Sequence, residues 1–67
     1  MKLIIGKEYK LKEVVDGTKT PGGYYKLVKR YAGKVVLEVF DKNHERTGGL
    51  FTMSIDRFKK TVEDDDQ

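Results

Sequence analysis

The sequence YYKLVKRYAGKVVLEVF, residues 24 to 40, decides the fold that this chain can adopt. Two runs rich in aromatic and β-branched residues flank Ala32 and Gly33, which is the pattern of a β-hairpin. A two-residue turn at Ala32 and Gly33 would mix charged side chains into both faces. A three-residue loop that also includes Lys34, with Gly33 at a positive φ, gathers the apolar side chains on one face instead. We therefore predict the three-residue loop.

The predicted register gives the hairpin a core face and a second face. It pairs Tyr31 with Val35 and Leu27 with Val39, and Lys29 is the only charged residue on the core face. That face consists of Tyr25, Leu27, Tyr31, Val35, Leu37 and Val39. The second face mixes aromatic, aliphatic and charged residues, namely Tyr24, Lys26, Val28, Arg30, Val36, Glu38 and Phe40. Such a mixture is typical of a binding surface, and the alternative is a curved barrel whose strands bury residues on both sides.

Short segments on either side of the hairpin predict further strands. Residues 3 to 15 alternate between apolar and polar side chains, which predicts a first strand bent near its glycine. Residues 16 to 23 contain three glycines and the only proline, and predict a loop. Residues 46 to 53 predict a strand with a bulge or bend at Gly48-Gly49. Ser54 is placed to begin one turn of helix, and residues 59 to 63 predict a final strand.

Length and charge indicate one small, basic domain. A chain of 67 residues buries about 60% of its unfolded surface. The chain has no cysteine, and it has no apolar run long enough for a membrane span or a signal peptide. We therefore predict that it is cytoplasmic and not membrane-bound. Residues 1 to 62 hold all 14 Lys and Arg against 7 acidic residues, and residues 63 to 66 hold the other 4. We predict a domain over 1–62 and a disordered acidic tail over 63–67.

The sequence GGLFTMSIDRFKKTV, residues 48 to 62, resembles the end of SH3 domains, where a Gly-hydrophobic-Phe strand leads through a helical turn into the last strand. The resemblance implies an all-β fold, a five-stranded SH3-like small barrel with a short helical turn before the last strand. Phe51 is followed by Thr52 rather than by the proline of SH3 domains, and tryptophan is absent, which argues against recognition of proline-rich peptides. The pair Arg57-Phe58 is similar to small SH3-like proteins of phages and mobile elements, which implies a binder of host protein or nucleic acid.

Few residues could support catalysis. We predict that the chain is not an enzyme and that it has no cofactor or metal site. His44 is the only histidine and is interpreted as an ordinary turn residue. Ser54 is explained by helix capping. The adjacent residues Asp64, Asp65 and Asp66 do not preorganise a cation site in a flexible tail.

Two binding hypotheses remain open for the second face. In the preferred one, the chain is a regulator or inhibitor that docks on a larger host or regulatory protein through Tyr24, Lys26, Val28, Arg30, Val36 and Phe40. In the alternative, the chain binds DNA or RNA. Its phosphate contacts would be Lys26, Lys29, Arg30, Lys34 and a secondary basic patch of Arg57, Lys59 and Lys60, with Tyr24, Tyr25 or Phe40 stacking on bases. A homodimer is a further possibility that an exposed sheet face allows.

Overall fold

A computed structural model describes residues 2–63 of the chain. Its elements in chain order are β1 (Glu8–Lys10), β2 (Val14–Val15), β3 (Thr18–Lys19), β4 (Tyr24–Tyr31), β5 (Lys34–Phe40), β6 (Arg46–Ser54) and α1 (Ile55–Thr61). Four of the strands form an antiparallel sheet in the order β1-β4-β5-β6, and β2 and β3 form a separate two-stranded sheet. The predicted acidic tail, apart from Glu63, lies outside the described residues.

The prediction of a mainly β protein is confirmed, with 53% of residues in strands and 11% in the helix. The prediction of a five-stranded barrel is wrong, because residues 2–63 form six strands in two sheets and close no barrel. The predicted loop over 16–23 contains β3, which pairs with β2 across a turn at Asp16 and Gly17. Both turn residues have positive φ, 52° and 78°, as a tight hairpin turn requires.

The C-terminal segment forms a helix where a final strand was predicted. Ser54 caps the helix as predicted, since its hydroxyl oxygen accepts a hydrogen bond of 3.1 Å from the Arg57 amide. The helix then continues through Thr61 and replaces the strand predicted over 59–63. Only a bridge between Leu11 and Val62 remains, supported by hydrogen bonds from the Lys12 amide to the Thr61 carbonyl and from the Glu63 amide to the Lys10 carbonyl.

The central hairpin turns in two residues, so the predicted three-residue loop is wrong. Tyr31 pairs with Lys34, and the turn residues Ala32 and Gly33 have φ of 47° and 75°. Positive φ at both positions defines a type I′ turn, whose twist matches that of the two strands. The match of the turn to the strand twist outweighs the unfavourable conformation of Ala32.

A bulge in β4 explains how this turn is compatible with an apolar core. Leu27 pairs with Leu37, but the next pair is Lys29 with Val36, so Val28 and Lys29 together oppose one residue. The extra residue reverses the alternation between the bulge and the turn. Tyr31, predicted in the core, is therefore 49% exposed.

One face of the four-stranded sheet carries the core. Its buried members are Tyr9, Leu27, Val35, Leu37, Phe58 and Val62, with Leu3, Tyr25, Phe51, Met53 and Ile55 packed around them. The Phe58 ring of α1 meets the Tyr9 ring edge to face, with centroids 5.2 Å apart. The Tyr9 hydroxyl donates to the Lys2 carbonyl and accepts from the Ile4 amide, so this buried polar group is satisfied. The predicted core residues Leu27, Val35 and Leu37 are confirmed.

The irregularity predicted at the glycine pair of β6 is also confirmed. Glu38 pairs with Leu50 but Phe40 pairs with Arg46, so the register between β5 and β6 shifts across Gly48 and Gly49. The Glu38 carboxylate and the Arg46 guanidinium form an ion pair of 3.2 Å beside the shift.

Ala32→Asn should raise the free energy of unfolding by about 0.5–1 kcal/mol, because Asn tolerates the left-handed backbone that Ala32 is forced to adopt. Urea unfolding followed by circular dichroism measures the change. Gly33→Ala is the matched control. Its φ is 75° and no atom lies within 4 Å of the added Cβ, so only the backbone cost of about 1 kcal/mol opposes it. Equal stability of all three proteins would contradict the assigned turn.

Candidate functional site

The four-stranded sheet has a second face, opposite the core, which we call the open face. The helix α1 and the core residues lie on the other side of the sheet. The pairing of the strands places on the open face the side chains that alternate with the buried ones. They are Glu8 and Lys10 of β1, Tyr24, Lys26, Val28, Lys29 and Tyr31 of β4, Lys34, Val36, Glu38 and Phe40 of β5, and Arg46, Leu50, Thr52 and Ser54 of β6. The open face therefore spans all four strands, and its apolar residues come from β4, β5 and β6.

Apolar side chains lie on the open face on both sides of the Lys26–Glu38 pair. Tyr24 lies directly opposite Phe40, and Val36 lies between the bulge of β4 and Thr52 of β6. Tyr24, Val28, Val36 and Phe40 are half-buried. Thr52 is exposed, and Leu50 at the sheet edge is 56% exposed. A face of this kind has apolar area left to bury against another molecule.

Charges of both signs surround and interrupt this apolar region. Lys26 lies between Glu8 and Glu38 in the register of the sheet, and Glu38 is held by Arg46. At the turn end, the Lys29 ammonium lies 5.5 Å from the centre of the Tyr31 ring, within the range of a cation–π contact. The two acids thus have positively charged neighbours, and Lys29 and Lys34 give the turn end of the open face a positive charge.

His44 has a more specific position than the turn role predicted for it. Its ring stacks on Tyr24 with centroids 4.0 Å apart, and its Nδ1 lies 3.0 Å from a carboxylate oxygen of Glu8. The Asp41 carboxylate organises this turn by accepting from the amides of Asn43 and Glu45. The turn itself was predictable from Asp and Asn. No local signal indicated the contacts of His44, because Tyr24 belongs to β4 and Glu8 to β1.

Five of the six predicted partner-binding residues lie together on the open face: Tyr24, Lys26, Val28, Val36 and Phe40. Arg30 does not join them. The bulge sets it opposite the buried Val35, at the exposed end of the core side. Leu50 and Thr52 were missed as members, although the apolar-polar alternation along β6 was a signal for them.

The predicted secondary basic patch lies across the sheet from the open face. Arg57, Lys59 and Lys60 all belong to α1, and the Arg57 guanidinium pairs at 2.7 Å with the Asp16 carboxylate. Tyr25, one of the predicted stacking residues, packs on the core side with its ring against Phe51. Burial raises the pKa of the Tyr25 hydroxyl, and the nearby Arg57 charge partly opposes this rise. Tyr25 therefore stays neutral at physiological pH.

Two shallow cavities flank the open face beside the segment from Thr20 to Gly23. One has a volume of about 460 Å³ and is lined by Lys10, Lys19, Lys42, Tyr24 and the two glycines. The other, of about 410 Å³, lies between Pro21 and the end of β5 and includes Phe40. Tyr24 of the open face borders the first cavity, and Phe40 borders the second.

Comparison with known proteins finds no matching family model, no similar curated protein and no similar solved structure. Within residues 2–63, no three His, Asp or Glu side chains are grouped so that they could hold a metal ion. In the same part of the chain, no helix is long and apolar enough to cross a membrane.

Proposed function

We propose that this protein is a non-catalytic binding module that docks the open face of its sheet on a larger protein, as a regulator or inhibitor. One observation carries the proposal. The helix covers only one face of the sheet, while the other presents apolar side chains from three strands, with Leu50 56% exposed. Aromatic side chains are enriched at protein interfaces, and exposed apolar area of this kind is commonly buried against a partner.

The charges on the open face support a protein partner and indicate which charges the partner's surface should carry. Glu38, near the middle of the face, is only 20% exposed at its side chain and is neutralised by Arg46. Lys29 and Lys34 lie at the turn end of the face, whereas Lys26 lies opposite Glu38 in its interior. A partner with apolar groups and with acidic groups facing Lys29 and Lys34 fits this arrangement, because complementary charges favour encounter and orientation.

The relation to SH3-like proteins of phages or mobile elements stays a prediction. It depends on the sequence of residues 48–62, and in the structure that segment forms β6, a two-turn helix and one bridge. The cytoplasmic location stays a prediction as well.

Leu50→Asp should abolish partner binding, because it puts a charge into the apolar part of the proposed interface, where an unpaired charge is costly to bury. We expect a loss of affinity of at least about 100-fold, corresponding to about 2.7 kcal/mol. The measurement is quantitative affinity capture from a lysate of the source organism, followed by titration of the captured protein.

Val14→Asp is the matched control for Leu50→Asp, since Val14 is 54% exposed but belongs to the two-stranded sheet. Circular dichroism establishes that both variants are folded. A protein retained by wild type and Val14→Asp but lost with Leu50→Asp supports the proposal. Retention of the same proteins by all three chains would refute the open face as the binding surface.

A second candidate function, binding of single-stranded nucleic acid, is favoured by the turn end of the open face. There an exposed Tyr31 ring lies beside Lys29 and Lys34, which combines a stacking surface with positive charge. Fluorescence anisotropy with labelled single-stranded DNA, duplex DNA and RNA tests it at low and near-physiological salt. Binding that persists at physiological salt, falls steeply as salt rises and is lost in Tyr31→Ala would favour this function over protein binding.

A further inference from the structure

Strand β6 is an unpaired edge of the four-stranded sheet. It is nine residues long, and β5 is its only neighbour. The opposite edge, β1, has three residues, and two of them, Glu8 and Lys10, are charged. A short, charged edge discourages pairing with another chain, whereas a long edge offers a row of backbone donors and acceptors.

The hydrogen-bond pattern shows which backbone groups of β6 are available. The Ile55 amide donates to the Gly33 carbonyl at 2.9 Å, and the neighbouring pair is Lys34 with Ser54. Because hydrogen-bonded and non-hydrogen-bonded pairs alternate in an antiparallel ladder, Met53 and Phe51 bond to β5. Leu50 and Thr52 then direct their N–H and C=O groups away from the sheet. Within residues 2–63 these outward groups have no hydrogen-bond partner, and both residues are exposed.

The side chains of this edge lack the usual features that keep edges apart. Between Arg46 and Asp56 the chain contains neither a charged residue nor a proline. The bulge at Gly48 and Gly49 interrupts the first half of β6 only, and the regular half runs from Leu50 to Ser54. Inward charges, lysines and prolines are the common means of blocking edge pairing, so this half of the strand is open to it.

We propose that β6 pairs with β6 of a second copy of this chain, in antiparallel orientation about a two-fold axis. A second copy fits because the edge is complementary to itself. An axis at Thr52 sets Thr52 opposite Thr52 of the second copy, and Leu50 opposite Ser54 of the second copy. No charged residues face each other, and threonine pairs are favourable across strands. A two-fold axis makes the contact closed, as in most soluble dimers.

The dimer joins two four-stranded sheets into one sheet of eight strands. The two open faces then lie side by side on the same continuous surface, and the exposed Leu50 side chains gain neighbours at the junction. The inference is independent of the proposed function, since it concerns the edge of the sheet and not the identity of any other partner.

The test is sedimentation equilibrium of the full chain from micromolar to millimolar concentration, on wild type, Thr52→Pro and Thr52→Val. Proline removes the outward N–H of Thr52, which the ladder with β5 does not use, and edge strands tolerate proline at such positions. It should weaken dimerisation at least about tenfold, because two hydrogen bonds are lost across the axis. Thr52→Val keeps the N–H and the branched side chain, and should dimerise like wild type.

Amide hydrogen exchange of the wild type keeps the inference testable even if Thr52→Pro fails to fold. Exchange at Leu50 and Thr52 should slow as concentration rises, while Phe51 and Met53 exchange slowly throughout. A chain that remains monomeric at millimolar concentration overturns the inference. So does a dimer in which the Leu50 and Thr52 amides stay unprotected, since that dimer uses another surface.

Discussion

Gly23→Ala lowers the free energy of unfolding by about 3–5 kcal/mol, an expected loss comparable to the whole stability of so small a domain. Gly23 is buried at the start of β4 with a φ of 104°, a conformation that residues with a Cβ rarely adopt. A Cβ there would also collide with the backbone oxygen of Phe40, and backbone cannot move aside as a side chain can. The Gly23 carbonyl accepts from the Leu11 amide, so a shift would also disturb the segment that follows β1.

Gly22→Ala separates the collision from the backbone conformation. Gly22 has a similar positive φ of 80°, but its added Cβ would meet only the flexible side chain of Lys42, at an ordinary distance of 3.5 Å. We expect Gly22→Ala to lower the free energy of unfolding by about 1 kcal/mol, because only the backbone conformation opposes it. Chemical denaturation of both variants measures the difference. Similar losses for Gly22→Ala and Gly23→Ala would contradict the close approach of β4 to the end of β5.

Phe58→Ala should destabilise the protein by about 3–5 kcal/mol, because a fully buried ring is removed from the centre of the core. Phe58 is the side chain that fixes α1 to the sheet, through its edge-to-face contact with Tyr9. Without it the helix loses its main apolar anchor, since a seven-residue helix has little stability of its own.

Phe58→Leu is the control that distinguishes loss of volume from loss of the aromatic contact. Leucine keeps most of the apolar volume and should cost about 1–1.5 kcal/mol. Thermal unfolding followed at the helical circular dichroism band gives both values. If Phe58→Ala unfolded at the wild-type temperature, the helix could not be packed on the core face as described.

The elements predicted correctly from sequence are those fixed by local chemistry. Ser54 caps a helix because its hydroxyl satisfies an amide three residues later, and the glycine pair of β6 marks a shift of register. Leu27, Val35 and Leu37 were placed in the core by simple alternation. The hairpin of β2 and β3 was not predicted, although Asp16-Gly17 is a strong signal for a tight turn, because the glycines and proline that follow favour a single loop.

The errors concern features that distant parts of the chain determine. The bulge at Val28 has no local signature. It follows Leu27, whose backbone is bonded on one side to Gly6 and Lys7 and paired on the other with Leu37. Five of the six residues predicted for the binding face nevertheless lie on one face, because they lie before the bulge or on it, or on β5. Arg30, beyond the bulge, was assigned to the wrong face for the same reason that Tyr31 was.

The pairing of Lys10–Lys12 with Thr61–Glu63 joins the segment at the end of β1 to the C-terminal end of the described chain. Hairpins β4-β5 and β5-β6 are local in sequence and have little loop entropy to overcome. This contact closes a much longer loop than either hairpin does. Neither segment can separate without releasing the other and uncovering the buried Leu11 and Val62.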